Sequence, residues 1–264
     1  MGNMIRVATN DGGVTVSYTL FDGVDPAVVI LHGLAGSSRE FLSTAQALAG
    51  RKVVLIDQRG HGLSARFPAD TSRQAFVDDV VHVIEAEGLG VVDLVGQSMG
   101  AHTAMLVAAV RPEVVRRLVL LECDVGGGSP KEAEAVGDYF RSWDVPYSTR
   151  DSAQAALGDS PLSRAWVADL EERPDGLYPR FDADVMARTL SDVMSSRWEE
   201  WESVTTPTLV IYAEHGMFTD EQKDRFVKRG RNVSRVSLAG ASHDAHLDAF
   251  DQWIDVLKTF INVR

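Results

Sequence analysis

Six short runs of mostly branched apolar residues punctuate this chain: Ala27 to Leu31, Val53 to Ile56, Val91 to Val95, Leu118 to Leu121, Leu209 to Tyr212 and Val233 to Leu238. Each has the length of a buried strand, and helix-patterned stretches separate several of them. Val77, Val80, Val81 and Ile84 recur at helical spacing between Arg73 and Glu87. Phe250, Ile254, Leu257 and Ile261 do the same in a final helix expected over about Ala245 to Ile261. Strands that alternate with crossover helices imply a mainly parallel sheet covered on both faces, an α/β fold. Val14 to Leu20, after the turn Asp11-Gly12-Gly13, adds a strand from an N-terminal hairpin.

The alternation stops between Leu121 and Leu209, where no buried strand is expected. Gly126-Gly127-Gly128-Ser129-Pro130 opens this stretch and Thr205-Thr206-Pro207 closes it. Helix-like pieces lie near Lys131 to Trp143, Ser152 to Leu157, Leu162 to Glu171 and Ala183 to Arg197. Residues 126–204 are therefore expected to be a helical cap inserted into a core made of residues 1–125 and 205–264. The cap is rich in aromatics, among them Tyr139, Phe140, Trp143, Tyr147, Trp166, Tyr178, Phe181, Trp198 and Trp201. Most are expected to bury the cap against the core, and a few to line an apolar pocket.

The chain has 38 acidic against 26 basic residues, a formal charge of −12 spread along its length. That disfavours nucleic acid and anionic membrane surfaces as partners. Cys123 is the single cysteine, so no intrachain disulfide is possible and a reducing cytoplasm suits the chain. The first residues lack the shape of a signal peptide, and no apolar run has the length of a membrane span. No metal-ligand, Walker or dinucleotide motif occurs, so no metal or other cofactor is expected. Nothing in the sequence sets an oligomeric state.

Gly96-Gln97-Ser98-Met99-Gly100 lies between the apolar run ending at Val95 and the helix-like segment Ala101 to Val110. A strand that reverses directly into a helix crowds the backbone around the central residue. Glycines at both ends of the pentapeptide relieve that crowding and push Ser98 out beside the positive end of the following helix. Three further motifs surround it: Leu31-His32-Gly33-Leu34-Ala35-Gly36-Ser37-Ser38, Asp57-Gln58-Arg59-Gly60-His61-Gly62-Leu63-Ser64 and Gly240-Ala241-Ser242-His243. In this order and spacing the chain resembles the α/β-hydrolase superfamily over nearly its whole length. The resemblance implies a mainly parallel eight-stranded sheet with helices on both faces and an inserted helical cap. It assigns Ser98 as nucleophile, His243 as base, and the backbone N–H groups of Met99 and Leu34 as oxyanion donors. Among the other histidines, His32 and His61 read as structural and His82 as a helix surface, while His102, His215 and His246 lie near the expected site.

The triad acid departs from the usual pattern. Many members place an aspartate after the seventh strand, and the position aligned with it here is Gly216. Other members, certain dehalogenases and zearalenone-type lactonases among them, place the acid after the sixth strand. Glu122 ends that strand here, at the spacing from Ser98 seen in those members. Glu122 is therefore the expected acid, ahead of Asp124 and then Glu214 or Asp220. Asp57 and Arg59 read as ties for the turn after the fourth strand, and Cys123 as a buried small residue.

The expected function is cofactor-independent hydrolysis of a carboxylic ester or lactone of a mainly apolar small molecule through an acyl-enzyme. The alternatives are hydrolysis of a carbon–carbon bond on the same triad and a non-catalytic small-molecule receptor. Aspartate-nucleophile epoxide hydrolysis and dehalogenation are disfavoured by serine at position 98.

Overall fold

The structure is a computed structural model and describes residues 3–10 and 12–262. Asp11 of the expected turn lies outside the described residues. β1 (Asn3–Thr9) and β2 (Thr15–Phe21) form the antiparallel N-terminal hairpin. β3 (Val24–Leu31) leads through α1 (Leu42–Ala47) to β4 (Arg51–Ile56). α2 (Arg73–Ala86) then crosses to β5 (Val92–Gln97), and α3 (Met99–Val110) to β6 (Val115–Leu121). These strands and two later ones, β9 (Thr208–His215) and β10 (Val233–Ser242), make one eight-stranded sheet in the order β1-β2-β4-β3-β5-β6-β9-β10. All neighbours from β4 to β10 are parallel, whereas β2 runs antiparallel to both β1 and β4.

The apolar runs are continuous because both faces of the sheet are covered. Alternate residues of each strand enter opposite cores. Val29, Leu31, Leu94, Leu118 and Leu120 pack with α2 and α3 on one side. Val28, Ile30, Val95, Val119 and Leu121 pack on the other with Phe41, Trp253 and Leu257.

Between β6 and β9 the chain leaves the sheet. It forms α4 (Pro130–Arg141), α5 (Arg150–Leu157), α6 (Pro161–Asp169), a hairpin of β7 (Glu171–Arg173) and β8 (Gly176–Tyr178), α7 (Ala183–Val193) and α8 (Trp198–Ser203). The hairpin and α8 were not expected from the sequence. The β7 and β8 strands are too short to show a period of two, and only Leu177 of the six residues is buried.

The sheet is completed by β9 (Thr208–His215), α9 (Asp220–Arg229) and β10 (Val233–Ser242). The expected final helix is broken at Ala249 into α10 (Ala245–Asp248) and α11 (Phe250–Ile261). Asp248 turns back onto the Ser242 backbone N–H at the break. No helix among the described residues is long and apolar enough to cross a membrane.

Candidate active site

Two neighbouring strands end in the same unusual way. Ser98 donates its N–H to the Leu121 carbonyl (2.9 Å) and then takes φ 53°. Glu122, one strand over, donates to the Ile211 carbonyl (2.9 Å) and also takes φ 53°. A left-handed backbone costs a residue with a Cβ about 1–3 kcal/mol, and such strain persists where the surroundings over-determine it. At Ser98 the surroundings are the sharp turn from β5 into α3. A Cβ on Gly96 would run into the Gly100 and Ala101 backbone, and one on Gly100 into the Leu31 and His32 carbonyls.

The Glu122 side chain is buried and faces four groups. Oε1 accepts from the Ala213 N–H (2.8 Å), and Oε2 accepts from the Met217 N–H (2.9 Å) and faces His243 Nδ1 at 3.1 Å. The fourth is Gly216, where a Cβ would overlap the carboxylate. The missing side chain at Gly216 thus leaves room for the Glu122 carboxylate. Lys223 of α9 holds the same residue, Ala213, by its other backbone group, donating from Nζ to the Ala213 carbonyl (3.1 Å). Tyr212 Oη donates to the Cys123 carbonyl (2.9 Å) and ties down the turn beyond Glu122.

His243 follows β10, with its imidazole 22% exposed. Gln97 Nε2 reaches its carbonyl (3.3 Å), linking the residue before Ser98 to the histidine loop. Ser98, His243, Glu122, Leu34 and Met99 all line one cavity of about 610 Å³. Met99 opens α3, so its N–H has no intrahelical partner and points from the positive helix end. The loop carrying Leu34 is held from both sides. Asp57 accepts from the Ser38 N–H (2.7 Å), and the Trp166 indole of the cap donates to the Ala35 carbonyl (3.0 Å).

Other candidate acids stand apart from the imidazole. Asp124 accepts from the Val125 N–H (2.7 Å), Glu214 from the Gly240 N–H (2.7 Å), and Asp220 sits in the exposed first turn of α9. His32 is locked by Gly33 and Gln58, its Nδ1 2.7 Å from the Gly33 carbonyl and its Nε2 accepting from the Gln58 N–H (3.0 Å). His61 rests against the Arg59 carbonyl (2.9 Å). Burial pushes these two rings down to about 4 and about 3. Arg59 makes a buried bidentate pair with Asp79, and burial drives the Cys123 thiol up.

The cap aromatics correct one expectation. Phe140, Trp143, Trp166 and Phe181 pack edge-on into a cluster of their own, and Trp201 stacks on Phe226 in the core. None of the nine lines the cavity; its large side chains from residues 126–204 are the aliphatic Val136, Leu162, Leu190, Val193 and Met194 together with Glu132. Rings that satisfy one another edge to face have little area left for a ligand.

Lys223, Gln97 and Glu40 were given no role of their own by sequence reasoning. Lys223 carried a signal, a cation on the buried face of α9 beside Phe226. Glu40 is buried in the cavity wall with His246 Nε2 at 3.5 Å, and burial raises its carboxyl to about 8.

The chain is similar to several known proteins. A sn-1-specific diacylglycerol lipase, ABHD11 of Mus musculus, is 30% identical over 93% of this chain and 85% of its own length. Esterase YbfF of Escherichia coli is 24% identical over 89% of this chain and 92% of its own. The crystal structure of E-2-(acetamidomethylene)succinate hydrolase superposes with a TM-score of 0.90 at 21% identity, covering 99% of this chain and 100% of that one. A family model described as the alpha/beta hydrolase family matches residues 28–256. With the sheet order, the strained serine turn and this match over most of its length, the chain belongs to the alpha/beta hydrolase family.

Proposed function

We propose that the protein is a serine hydrolase that cleaves a carboxylic ester or lactone of a small molecule through an acyl-enzyme. The observation that carries this reading is the Glu122–His243 contact, in the cavity that also holds the strained Ser98. A carboxylate at Nδ1 fixes the proton there, which leaves Nε2 free to accept. His243 takes the proton of Ser98 as the hydroxyl oxygen attacks the substrate carbonyl. The Leu34 and Met99 N–H groups receive the negative charge that develops on the carbonyl oxygen. His243 then protonates the leaving alcohol and afterwards activates water, which releases the acid. In a lactone the alcohol remains attached, and the product is one hydroxy acid.

The names of the lipase and esterase relatives support the ester reading. The single cysteine supports a cytoplasmic location. A fluorophosphonate probe tests the reactive serine: the native protein is expected to be labelled and Ser98→Ala is not. No labelling of the native protein, or equal labelling of both, would sink the reading. Turnover of a series of p-nitrophenyl esters and aromatic lactones, with product masses, then separates ester from carbon–carbon chemistry.

A further inference from the structure

A buried histidine lines the cavity on the face of α3 that carries Ser98, with two arginines behind it that do not reach the cavity wall. His102 lies one helical turn on, and its N–H donates to the Ser98 carbonyl (3.0 Å). Residues four apart share a helix face, so the two side chains stand about 6 Å apart along the axis. The His102 imidazole is 2% exposed, lines the cavity, and has no protein hydrogen-bond partner at either ring nitrogen. Its Nε2 faces Gly126, where even a Cβ would sit 3.3 Å away.

Two cations back this ring. Arg73 of α2 is 2% exposed; Nη2 reaches Thr103 Oγ1 and the Met99 carbonyl, while Nε and Nη1 have no protein partner. Arg197 pairs through Nη1 with Glu200 (3.0 Å), while its buried Nε has no partner. Asp192, held by Thr71 Oγ1 (2.9 Å), is the carboxylate that acts on Arg73. Burial first, and then the charge of Arg73, hold the His102 imidazole well below its ordinary value; Arg197 adds to this and the Val125 backbone opposes it without reaching hydrogen-bond geometry. The ring is therefore neutral near pH 7, with one N–H to give, in a field made positive by its neighbours. Besides Glu122, four acids line the cavity, each engaged elsewhere: Asp124 by the Val125 N–H, Glu132 by the Ser129 N–H (2.6 Å), Glu40 beside His246 Nε2 (3.5 Å) and Asp244 beside Gln97 Nε2 (3.5 Å). Buried polar groups are rarely left without partners, and those facing a cavity find them in what the cavity binds.

We propose that His102, backed by Arg73 and Arg197, forms an acyl-side subsite for an anionic oxygen group. The preferred substrates are then esters whose acyl part carries a carboxylate about four or five bonds from the scissile carbonyl, a reach set by the one-turn offset from Ser98. This deepens the serine hydrolase reading and rests on it for the position of the scissile bond.

The test compares kcat/KM for p-nitrophenyl pentanoate and for the p-nitrophenyl monoester of glutaric acid, which has the same chain length and a terminal carboxylate. The native protein should favour the glutarate monoester roughly ten- to hundredfold, the range of a hydrogen bond to a charged group. His102→Leu should remove the preference, and His102→Gln, which keeps a donor, should retain part of it. A second measurement does not depend on turnover. Free glutarate, titrated calorimetrically into Ser98→Ala, should bind, and the added His102→Leu change should abolish binding. Cleavage of both esters with no preference, together with no glutarate binding, overturns the subsite and leaves the hydrolase reading standing. Binding through His102 with neither ester cleaved does the reverse.

Discussion

The ends of β6 and β9 show how one position can hold a carboxylate only if its neighbour gives up a side chain. β6 is followed by Glu122, a glutamate in left-handed backbone whose oxygens meet the Ala213 and Met217 N–H groups and His243. β9 is followed by Gly216, whose missing Cβ leaves the volume that this carboxylate occupies. The two strands are paired through Leu121 and Ile211, so one residue of overhang brings Glu122 against the β9 turn. Seating a carboxylate at this place takes more than a charge: it uses the backbone donors at 213 and 217 and the open position at 216.

The strongest way to break the comparison is Glu122→Gln. The amide would present a donor to Nδ1 and shift the imidazole proton toward Ser98, and kcat should fall by about 10³–10⁴-fold with the fold retained. Ester turnover together with circular dichroism checks this, and a loss under tenfold would reject Glu122 as the triad acid. Next comes Gly216→Ala, which sets a methyl against the carboxylate and should cost roughly 10²-fold in kcat, the scale of a 1 Å misplacement. The pair Glu122→Ala/Gly216→Asp sharpens the same point, since it should recover at least about tenfold over Glu122→Ala by returning the acid to β9. A double variant no better than the single one would mean that the 216 position cannot aim an acid at His243.

A smaller effect concerns a second buried glutamate in the same cavity. Glu40 lies beside His246 and not in a cradle like that of Glu122, and burial raises its carboxyl to about 8. A raised acid contributes stability that is complete below its unfolded value and is lost as pH rises through the folded one. The Tm of Glu40→Gln relative to the native protein should therefore rise as pH goes from 5 to 9, because only the native protein loses this contribution while the buried histidines titrate alike in both. Parallel Tm curves for the two proteins would contradict the assignment. The smallest effect is expected at Asp124, two residues beyond Glu122 and engaged with the Val125 N–H. Asp124→Asn should change kcat less than about threefold, a rim-like effect set against the loss at Glu122.

Much of this was legible in the linear chain because it depends on local pattern. Continuous apolar runs mark strands buried on both faces, and the period-two division of Val28, Val29, Ile30 and Leu31 between opposite cores follows from the pleat. The two glycines around Ser98 announce a turn that no other residue would fit. The glycine at 216 and the glutamate at 122 could each be noticed, and their proximity could be expected from the resemblance. The β7–β8 hairpin, the break at Ala249 and the fate of the cap aromatics were not legible. A three-residue strand carries no period, and whether a ring faces a ligand or another ring depends on neighbours far away in sequence.

By itself the sequence determined the layered α/β architecture, the turn that presents Ser98 and the loop that carries His243, since each follows from residues adjacent in the chain. The rest depended on packing between segments that are distant in the chain. That packing set the Glu122 carboxylate into the space beside Gly216, brought Lys223 onto the Ala213 carbonyl, and left His102 without a protein partner at the edge of the cavity. The physical reason is common to all three. A side chain's reach and its unmet hydrogen bonds are properties of the volume around it, and that volume is assembled from segments up to a hundred residues apart.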